Sequence, residues 1–158
     1  GYWNDTSPTS TVFTIGNSSE VNSSGGKYVA YAFCDVNGFA KFGGYTGDYN
    51  ANGNFCYLGF KPAFVILKNW SSSGYSWELF DNKRNTTDGV GNVIQKRLLP
   101  DSTSADNGSS STNFIDFLSH GFKFRRVGDS NENDSTKLYM AFSEAPLVGT
   151  NDIPAMAR

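Results

Sequence analysis

The sequence predicts an all-β protein, an antiparallel β-sandwich of jelly-roll or lectin-like type that contains a duplicated hairpin unit. The first observation is the run Ala63–Leu67, five consecutive apolar residues rich in Phe, Val and Ile, which is typical of a strand in the middle of a sheet. The second is a composition of 15% aromatic and 18% charged residues with 17 Gly, which suits many short strands joined by polar turns. The third is that no segment sustains the 3.6-residue apolar period of a helix, so helices should be scarce.

Strands are predicted wherever apolar residues are bounded by turn-forming residues. The central strand is Ala63–Asn69, with Pro62 at its entry because proline cannot donate to a strand ladder. Phe55–Leu58 is expected to pair with the strand before it, across the polar turn Thr46–Asn54. The remaining predicted strands after residue 36 are Phe39–Tyr45, Trp77–Asp81, Val93–Leu98, and the hairpin strands Phe114–Leu118 and Phe122–Arg126.

A half-repeat organises the chain. The segment Phe13–Asp35 matches Phe122–Glu144 at a constant offset of 109 residues (Phe13 to Phe122), and each copy reads as a short strand, a polar loop and a longer strand. Chance similarity between two amphipathic hairpins is the alternative, but agreement without gaps favours duplication. We therefore expect Val29, Tyr31 and Phe33 to occupy buried sites equivalent to those of Leu138, Met140 and Phe142.

This repeat predicts the domain organisation. Residues 1–36 are interpreted as the C-terminal half of a preceding repeat unit, packed with the rest of the chain. Residues 37–148 are interpreted as a complete β-sandwich unit, and residues 149–158 as a tail. Because the chain opens at Gly1 without an initiator Met, we expect a processed protein or a fragment, in which the first hairpin has lost its upstream partner or completes the sheet of a neighbouring unit or chain.

Charge and cysteine content exclude several classes of protein. A net charge of −2 argues against nucleic acid or an anionic membrane surface as the main partner. No apolar run approaches the roughly 20 residues that span a bilayer, so membrane insertion is not expected. Two cysteines, Cys34 and Cys56, do not make a disulfide framework, and we expect free thiols rather than a bridge.

No motif points to metal binding or catalysis. Asp48–Gly53 fits the opening of a calcium loop, but the twelfth position, which must supply a bidentate carboxylate, is Gly59. We therefore expect a hairpin turn, no metal site and no cofactor. The chain also lacks the Gly-x-Ser-x-Gly nucleophile elbow and a phosphate-binding glycine loop before a helix, and we expect it not to be an enzyme.

Two loops carry aromatic rings beside amide and hydroxyl groups, a combination suited to carbohydrate recognition. Trp70 and Tyr75 bracket a Ser/Gly loop, while Tyr49 lies beside Asn50 and Asn52 in the turn after the first strand of the complete unit. These five residues are the candidate binding site. The alternative is that all three rings cap the core from the loops, which we slightly favour because large rings are mostly buried.

Several phrases together resemble the C-terminal region of a family of large structural proteins of tailed, especially marine, bacteriophages. These phrases are WNDTSPTS (Trp3–Ser10), YVAYAF (Tyr28–Phe33), GFAKFGGYTG (Gly38–Gly47), GFKPAFV (Gly59–Val65) and YMAF (Tyr139–Phe142). Proteins of this family are commonly labelled tail-fibre or tail proteins. The resemblance implies a non-enzymatic virion structural protein, a fibre or spike β-domain on the surface of the extracellular particle.

The resemblance also implies partners: other virion proteins, a homotrimeric assembly of the kind fibres form, and a host surface glycan. Two alternatives remain open at this point. One is a capsid decoration or head-fibre protein, and the other is a secreted carbohydrate-binding or adhesin module.

Overall fold

The computed structural model describes residues 1–84, 93–106, 114–128, 131 and 135–144, which divide into two compact units. The first unit is residues 1–32 and the second is residues 33–158. The second unit is the β-sandwich, and all eight strands of the described chain belong to it. The strands are β1 (Ala40–Thr46), β2 (Phe55–Tyr57), β3 (Pro62–Asn69), β4 (Glu78–Asp81), β5 (Val93–Ile94), β6 (Ile115–Leu118), β7 (Gly121–Phe124) and β8 (Thr136–Ser143).

Two four-stranded antiparallel sheets form the sandwich, so the predicted all-β class is confirmed. One sheet has the order β1-β8-β3-β4 and the other has the order β2-β7-β6-β5. β3 is an interior strand of the first sheet, as its apolar run predicts, with β8 on one side and β4 on the other. β6 and β7 form the expected hairpin, in which Leu118 pairs with Gly121.

The core lies between the sheets and is rich in phenylalanine. Fully buried rings come from both layers, among them Phe80 on the first sheet and Phe117, Phe122 and Phe124 on the second. Phe122 meets the ring of Tyr139 edge to face, with ring centroids 5.6 Å apart, so β8 and β7 contact each other across the core. Edge-to-face pairs of this kind add stabilisation to the area that the rings bury.

The face of β8 that enters the core is the opposite of the predicted one. Tyr139 and Ala141 are buried in the core, whereas Leu138 is exposed and Met140 and Phe142 are half-buried on the outer face of the first sheet. Because side chains alternate along a strand, Tyr139 and Ala141 must lie on one face of β8 and Leu138, Met140 and Phe142 on the other. The side chains on both faces are mainly apolar. Hydrophobicity alone therefore could not identify which set faces the second sheet.

Two further strand predictions are wrong. β2 does not pair with β1, because β1 belongs to the first sheet and β2 pairs with β7 in the second. The segment after β1 therefore crosses between sheets rather than closing a hairpin. The strand predicted over Val93–Leu98 is limited to β5, and Leu98 instead makes an isolated bridge to Leu79.

The first unit has no strand. Its regular structure is one four-residue helix, α1 (Ser19–Asn22), and its links include an edge-to-face contact between Trp3 and Phe13 at 6.2 Å. The two strands predicted within residues 13–35 are not formed. Val29 and Tyr31 are 78% and 82% exposed, and Phe33, at the start of the second unit, is 57% exposed. The expected burial of these three side chains is wrong, and its cause is local, since the segment that carries them forms no strand.

An aromatic cluster covers part of the outer face of the first sheet. Phe142 contacts the rings of Phe39, Phe42 and Phe64, with centroid distances between 5.7 and 6.0 Å, and Phe33 stacks on Phe42 at 5.4 Å. These rings come from β1, β3, β8 and the segment before β1. They account for the partial burial of Phe142 on a face that does not enter the core.

Both cysteines carry free thiols, as expected. Cys34 is exposed and lies outside any strand, whereas Cys56 is buried on β2, where burial raises the pKa of its thiol to about 12. Because the thiolate is the reactive form, we expect an aromatic disulfide reagent at pH 8 to label one thiol per native chain rapidly. The second thiol should react only after denaturation. Rapid labelling of both thiols in the native protein would contradict the placement of Cys56.

No helix in the described part of the chain has the length and apolar character needed to cross a lipid bilayer.

Candidate functional site: the loop end of the sandwich

Two of the sequence-predicted loops meet at one end of the sandwich. β1 ends at Thr46, which pairs with Thr136 at the start of β8, and β3 ends at Asn69, which pairs with Lys137. The loop after β1 and the loop after β3 therefore leave the first sheet at the same edge, on either side of β8. We call this edge, with residues 47–54 and 70–77, the loop end. Two inter-strand spacings separate the loop bases, which is roughly 10 Å.

Asn131 organises the first of these loops. Its side chain is completely buried, and its Nδ2 donates to Asp48 Oδ1 at 2.8 Å and to the Asn50 carbonyl at 2.9 Å. Its Oδ1 accepts from the Asp48 amide at 3.2 Å, and its own carbonyl accepts from the Tyr49 amide at 2.9 Å. A single asparagine thus satisfies donors and acceptors along three consecutive loop residues.

Glycine at position 53 makes this arrangement possible. A Cβ there would lie 2.6 Å from Asn131 Nδ2 and 2.7 Å from the Asn50 carbonyl oxygen, closer than real Cβ contacts. The Gly53 amide donates to the Phe124 carbonyl at 3.1 Å, which fixes the end of the loop to β7. The loop is therefore anchored at its middle by Asn131 and at its end by β7.

Tyr49 is presented by this anchored loop. Its backbone φ is +50°, a left-handed conformation that non-glycine residues seldom adopt, and its side chain is 56% exposed. The surrounding hydrogen bonds hold the strained backbone in place. Asn50 and Asn52 are exposed beside it; Asn50 Oδ1 accepts from the Asn52 amide at 2.8 Å, and Asn52 Oδ1 accepts from Arg125 at 3.4 Å.

Trp70 stands on the second loop. Its side chain is 61% exposed, while its amide donates to the Thr136 carbonyl at 3.3 Å. Behind it, Asn69 is buried and its Oδ1 accepts from the Ser72 amide at 3.2 Å, and the Ser71 hydroxyl accepts from the Thr136 amide at 2.8 Å. The base of the loop is thus bonded to β8 while the indole ring faces solvent.

Tyr75 differs from the other two rings. It is half-buried and lines a cavity of about 230 Å³ beneath the second loop. The cavity wall also includes Arg97, which forms an ion pair with the buried Glu78, and the fully buried Lys137, whose ammonium bonds to Ser135. A charged, hydrogen-bonded group of side chains therefore underlies the loop that carries Trp70.

The alternative that all three rings cap the core is wrong for Trp70 and Tyr49, which are exposed, and Tyr75 lines the charged cavity rather than the apolar core. Neither Asn131 nor the charged residues of the cavity were predicted from the sequence as parts of the site. Lys137 precedes Tyr139 and Ala141 at the alternating positions that face the core, and a lysine at such a position is an available signal of a buried polar group. Asn131 has no local signal, because the loop residues that its side chain bonds, Asp48 and Asn50, are 81 to 83 residues away in the sequence.

The turn Asp48–Gly53, which resembles the opening of a calcium loop, is held by hydrogen bonds within the protein. Asp48 Oδ1 accepts from Asn131 Nδ2 and from the Asn50 amide, as in an Asx turn. Within the described residues, no three side chains of His, Cys, Asp or Glu are grouped as a metal would require. The absence of a metal remains a prediction.

A family model described as a domain of unknown function, DUF7483, matches residues 1–146. The match includes both copies of the half-repeat and every residue of the loop end. The chain matches no curated protein and no solved structure.

Proposed function

The chain belongs to the DUF7483 family, and we propose that this member is a non-enzymatic bacteriophage virion protein, a fibre or spike β-domain that contacts the host cell surface. The observation that carries the proposal is the loop end, where the exposed rings of Trp70 and Tyr49 stand on two hydrogen-bonded loops. Loops fixed by a rigid scaffold are where binding residues concentrate.

The chemistry of the loop end suits a carbohydrate. An aromatic ring stacks on the apolar face of a sugar, and side-chain amides hydrogen-bond to its hydroxyl groups. Tyr49 supplies a ring with Asn50 and Asn52 beside it, and Trp70 supplies a second ring across β8. Because the loop bases lie roughly 10 Å apart, a ligand that contacts both rings is a chain of sugars, such as a surface polysaccharide, rather than one sugar.

The hydrogen bonds that anchor both loops also favour binding. A loop that is already ordered loses little conformational entropy when a ligand binds, so more of the contact energy contributes to affinity. Asn131 orders the first loop, and Asn69 with Thr136 orders the second. These contacts support a preformed recognition surface.

The assignment to a virion rests on the sequence resemblance to tail-fibre proteins. From this resemblance we propose that the protein lies on the surface of the particle, with other virion proteins as partners and a homotrimer as the assembly. Neither nucleic acid nor insertion into a membrane is part of the proposal. Two carboxylates support a non-enzymatic role: Asp48 of the loop end is bonded to Asn131, and Glu78, in the cavity beneath the second loop, is paired with Arg97.

The location of the protein tests the virion proposal. Gold-labelled antibodies against the chain, applied to intact particles of the phage that encodes it, should mark the tail fibres or the tail tip. Labelling over the capsid would instead indicate a decoration or head-fibre protein. The ring-bearing loops also fit a secreted carbohydrate-binding or adhesin module, and recovery of the protein from culture fluid with none on particles would favour that function.

Trp70→Ala provides a test of the site. Removing one stacking ring should weaken binding of the chain to the host envelope polysaccharide about tenfold, which corresponds to roughly 1.4 kcal/mol. Because Trp70 is exposed, the melting temperature should change little. Calorimetric titration and thermal unfolding measure the two quantities. A large loss of stability with unchanged affinity would show that Trp70 is a structural residue.

A further inference from the structure

The first unit preserves one turn of the second unit's β-hairpin. The Thr9 amide donates to the Val12 carbonyl at 2.8 Å. The residues 109 positions later are Leu118 and Gly121 (Thr9 to Leu118, Val12 to Gly121), which pair where the β6–β7 hairpin turns. Just before the repeated segment, the first unit thus has a backbone hydrogen bond at the position where the second unit has a strand pairing.

The residues that follow this turn are core residues in one copy and exposed in the other. Phe13 and Ile15 are 50% and 40% exposed, whereas their counterparts Phe122 and Phe124 on β7 are 0% and 1% exposed. Aromatic and aliphatic side chains are most often buried. The same pattern thus fills a core in the second unit and has no core to fill in the first.

The longer strand shows the same contrast. Residues 27–34 correspond to β8, which pairs with β1 on one side and β3 on the other. Likewise, β7 pairs with both β2 and β6. The counterparts of β7 and β8 in the first unit, residues 12–15 and 27–34, would therefore also be interior strands. An interior strand requires a neighbouring strand at each of its edges. Residues 1–32 contain no strand that could be such a neighbour.

We infer that residues 13–35 are closing strands of a second sandwich of the same fold, whose other strands come mainly from an earlier segment of the same polypeptide that resembles residues 37–109. A separate copy of this chain is a poorer partner, because its β7 and β8 already occupy the required positions. A tandem arrangement also fits the connection, since the β8 counterpart and β1 are separated by residues 35–39 alone, which include the Val36–Phe39 turn. This inference is independent of the proposed binding function.

A duplication experiment tests the inference. Residues 37–109 are fused directly before Gly1, which restores the spacing of the second unit because Gly1 corresponds to Ser110. Hydrogen exchange should then show amides at 13–15 and 28–34 protected by at least a hundredfold relative to the original chain. Protection at 121–124 and 136–143 serves as the internal standard. Unchanged exchange at 13–15 and 28–34 would overturn the inference.

A matched pair of variants in the fused protein separates closure of a sandwich from nonspecific association. Phe13→Asp places a charge where Phe122 is buried and should abolish the new protection. Thr14→Asp changes the position equivalent to the half-buried Lys123 and should retain it. Equal effects of both substitutions would contradict the inference. Concentration-dependent protection of these segments in the original chain, with a dimer in sedimentation, would identify a second copy as the partner and also overturn it.

Discussion

Phe122→Ala is expected to lower the free energy of unfolding by about 3–5 kcal/mol, the usual cost of removing a buried phenyl ring. Phe122 is completely buried on β7, an interior strand, and its ring contacts Phe124 at 5.7 Å and Tyr139 at 5.6 Å. Truncation removes contacts to both sheets and leaves a cavity between them. Chemical denaturation monitored by tryptophan fluorescence and far-UV circular dichroism measures the loss.

Phe33→Ala is the matched control for this substitution. It removes the same ring from a side chain that is 57% exposed and stacks mainly on Phe42. The expected loss is about 1 kcal/mol or less. If the two substitutions cost equal amounts, the ring of Phe33 is buried in solution and the described conformation of that segment is wrong.

Asn131→Ala is expected to cost about 3 kcal/mol, because a buried polar group that loses its partner pays its desolvation cost. The substitution removes the donors to Asp48 and Asn50 and the acceptor for the Asp48 amide. It should also increase hydrogen exchange at residues 48–53 and weaken carbohydrate binding, because the loop that carries Tyr49 loses its anchor. Denaturation and exchange on the same variant measure both effects.

Asn52→Ala controls for the loss of an asparagine in this region. Asn52 is exposed, and its side chain accepts one long hydrogen bond, 3.4 Å from Arg125. Its replacement should cost about 0.5 kcal/mol or less and leave exchange at residues 48–53 unchanged. A small effect of Asn131→Ala, comparable with that of Asn52→Ala, would contradict the anchoring role of Asn131.

The sequence predicted correctly those strands that are determined by neighbouring residues, such as an apolar run or a tight turn. The apolar run after Pro62 identified β3, and the Ser119–Gly121 turn between two aromatic segments identified the β6–β7 hairpin. Neighbouring residues do not determine which of the two sheets a strand joins. The turn after β1 contains the residues that tight hairpins require, but it crosses to the other sheet because Asn131 and β7 bond to it.

The candidate site was predictable in part for the same reason. Trp70 and Tyr49 were identified from loop composition, but their location at one end of the sandwich depends on β8 pairing with both β1 and β3. Glu78, Arg97 and Lys137 come from three distant segments and converge only in the folded chain. These groups are brought together by pairing between strands that are far apart in the sequence, and such pairing cannot be predicted from a short segment of the chain.

Binding of an envelope polysaccharide by loop-end variants tests the central claim most directly. The double variant Tyr49→Ala/Trp70→Ala removes both exposed rings of the loop end. Tyr57→Ala removes an equally exposed ring beside His120, where β2 meets the β6–β7 turn. On an array of bacterial surface glycans, we expect the double variant to lose at least 30-fold in affinity, about 2 kcal/mol, and Tyr57→Ala to bind like the parent chain. Equal binding by all three proteins, each shown to be folded, would contradict recognition at the loop end.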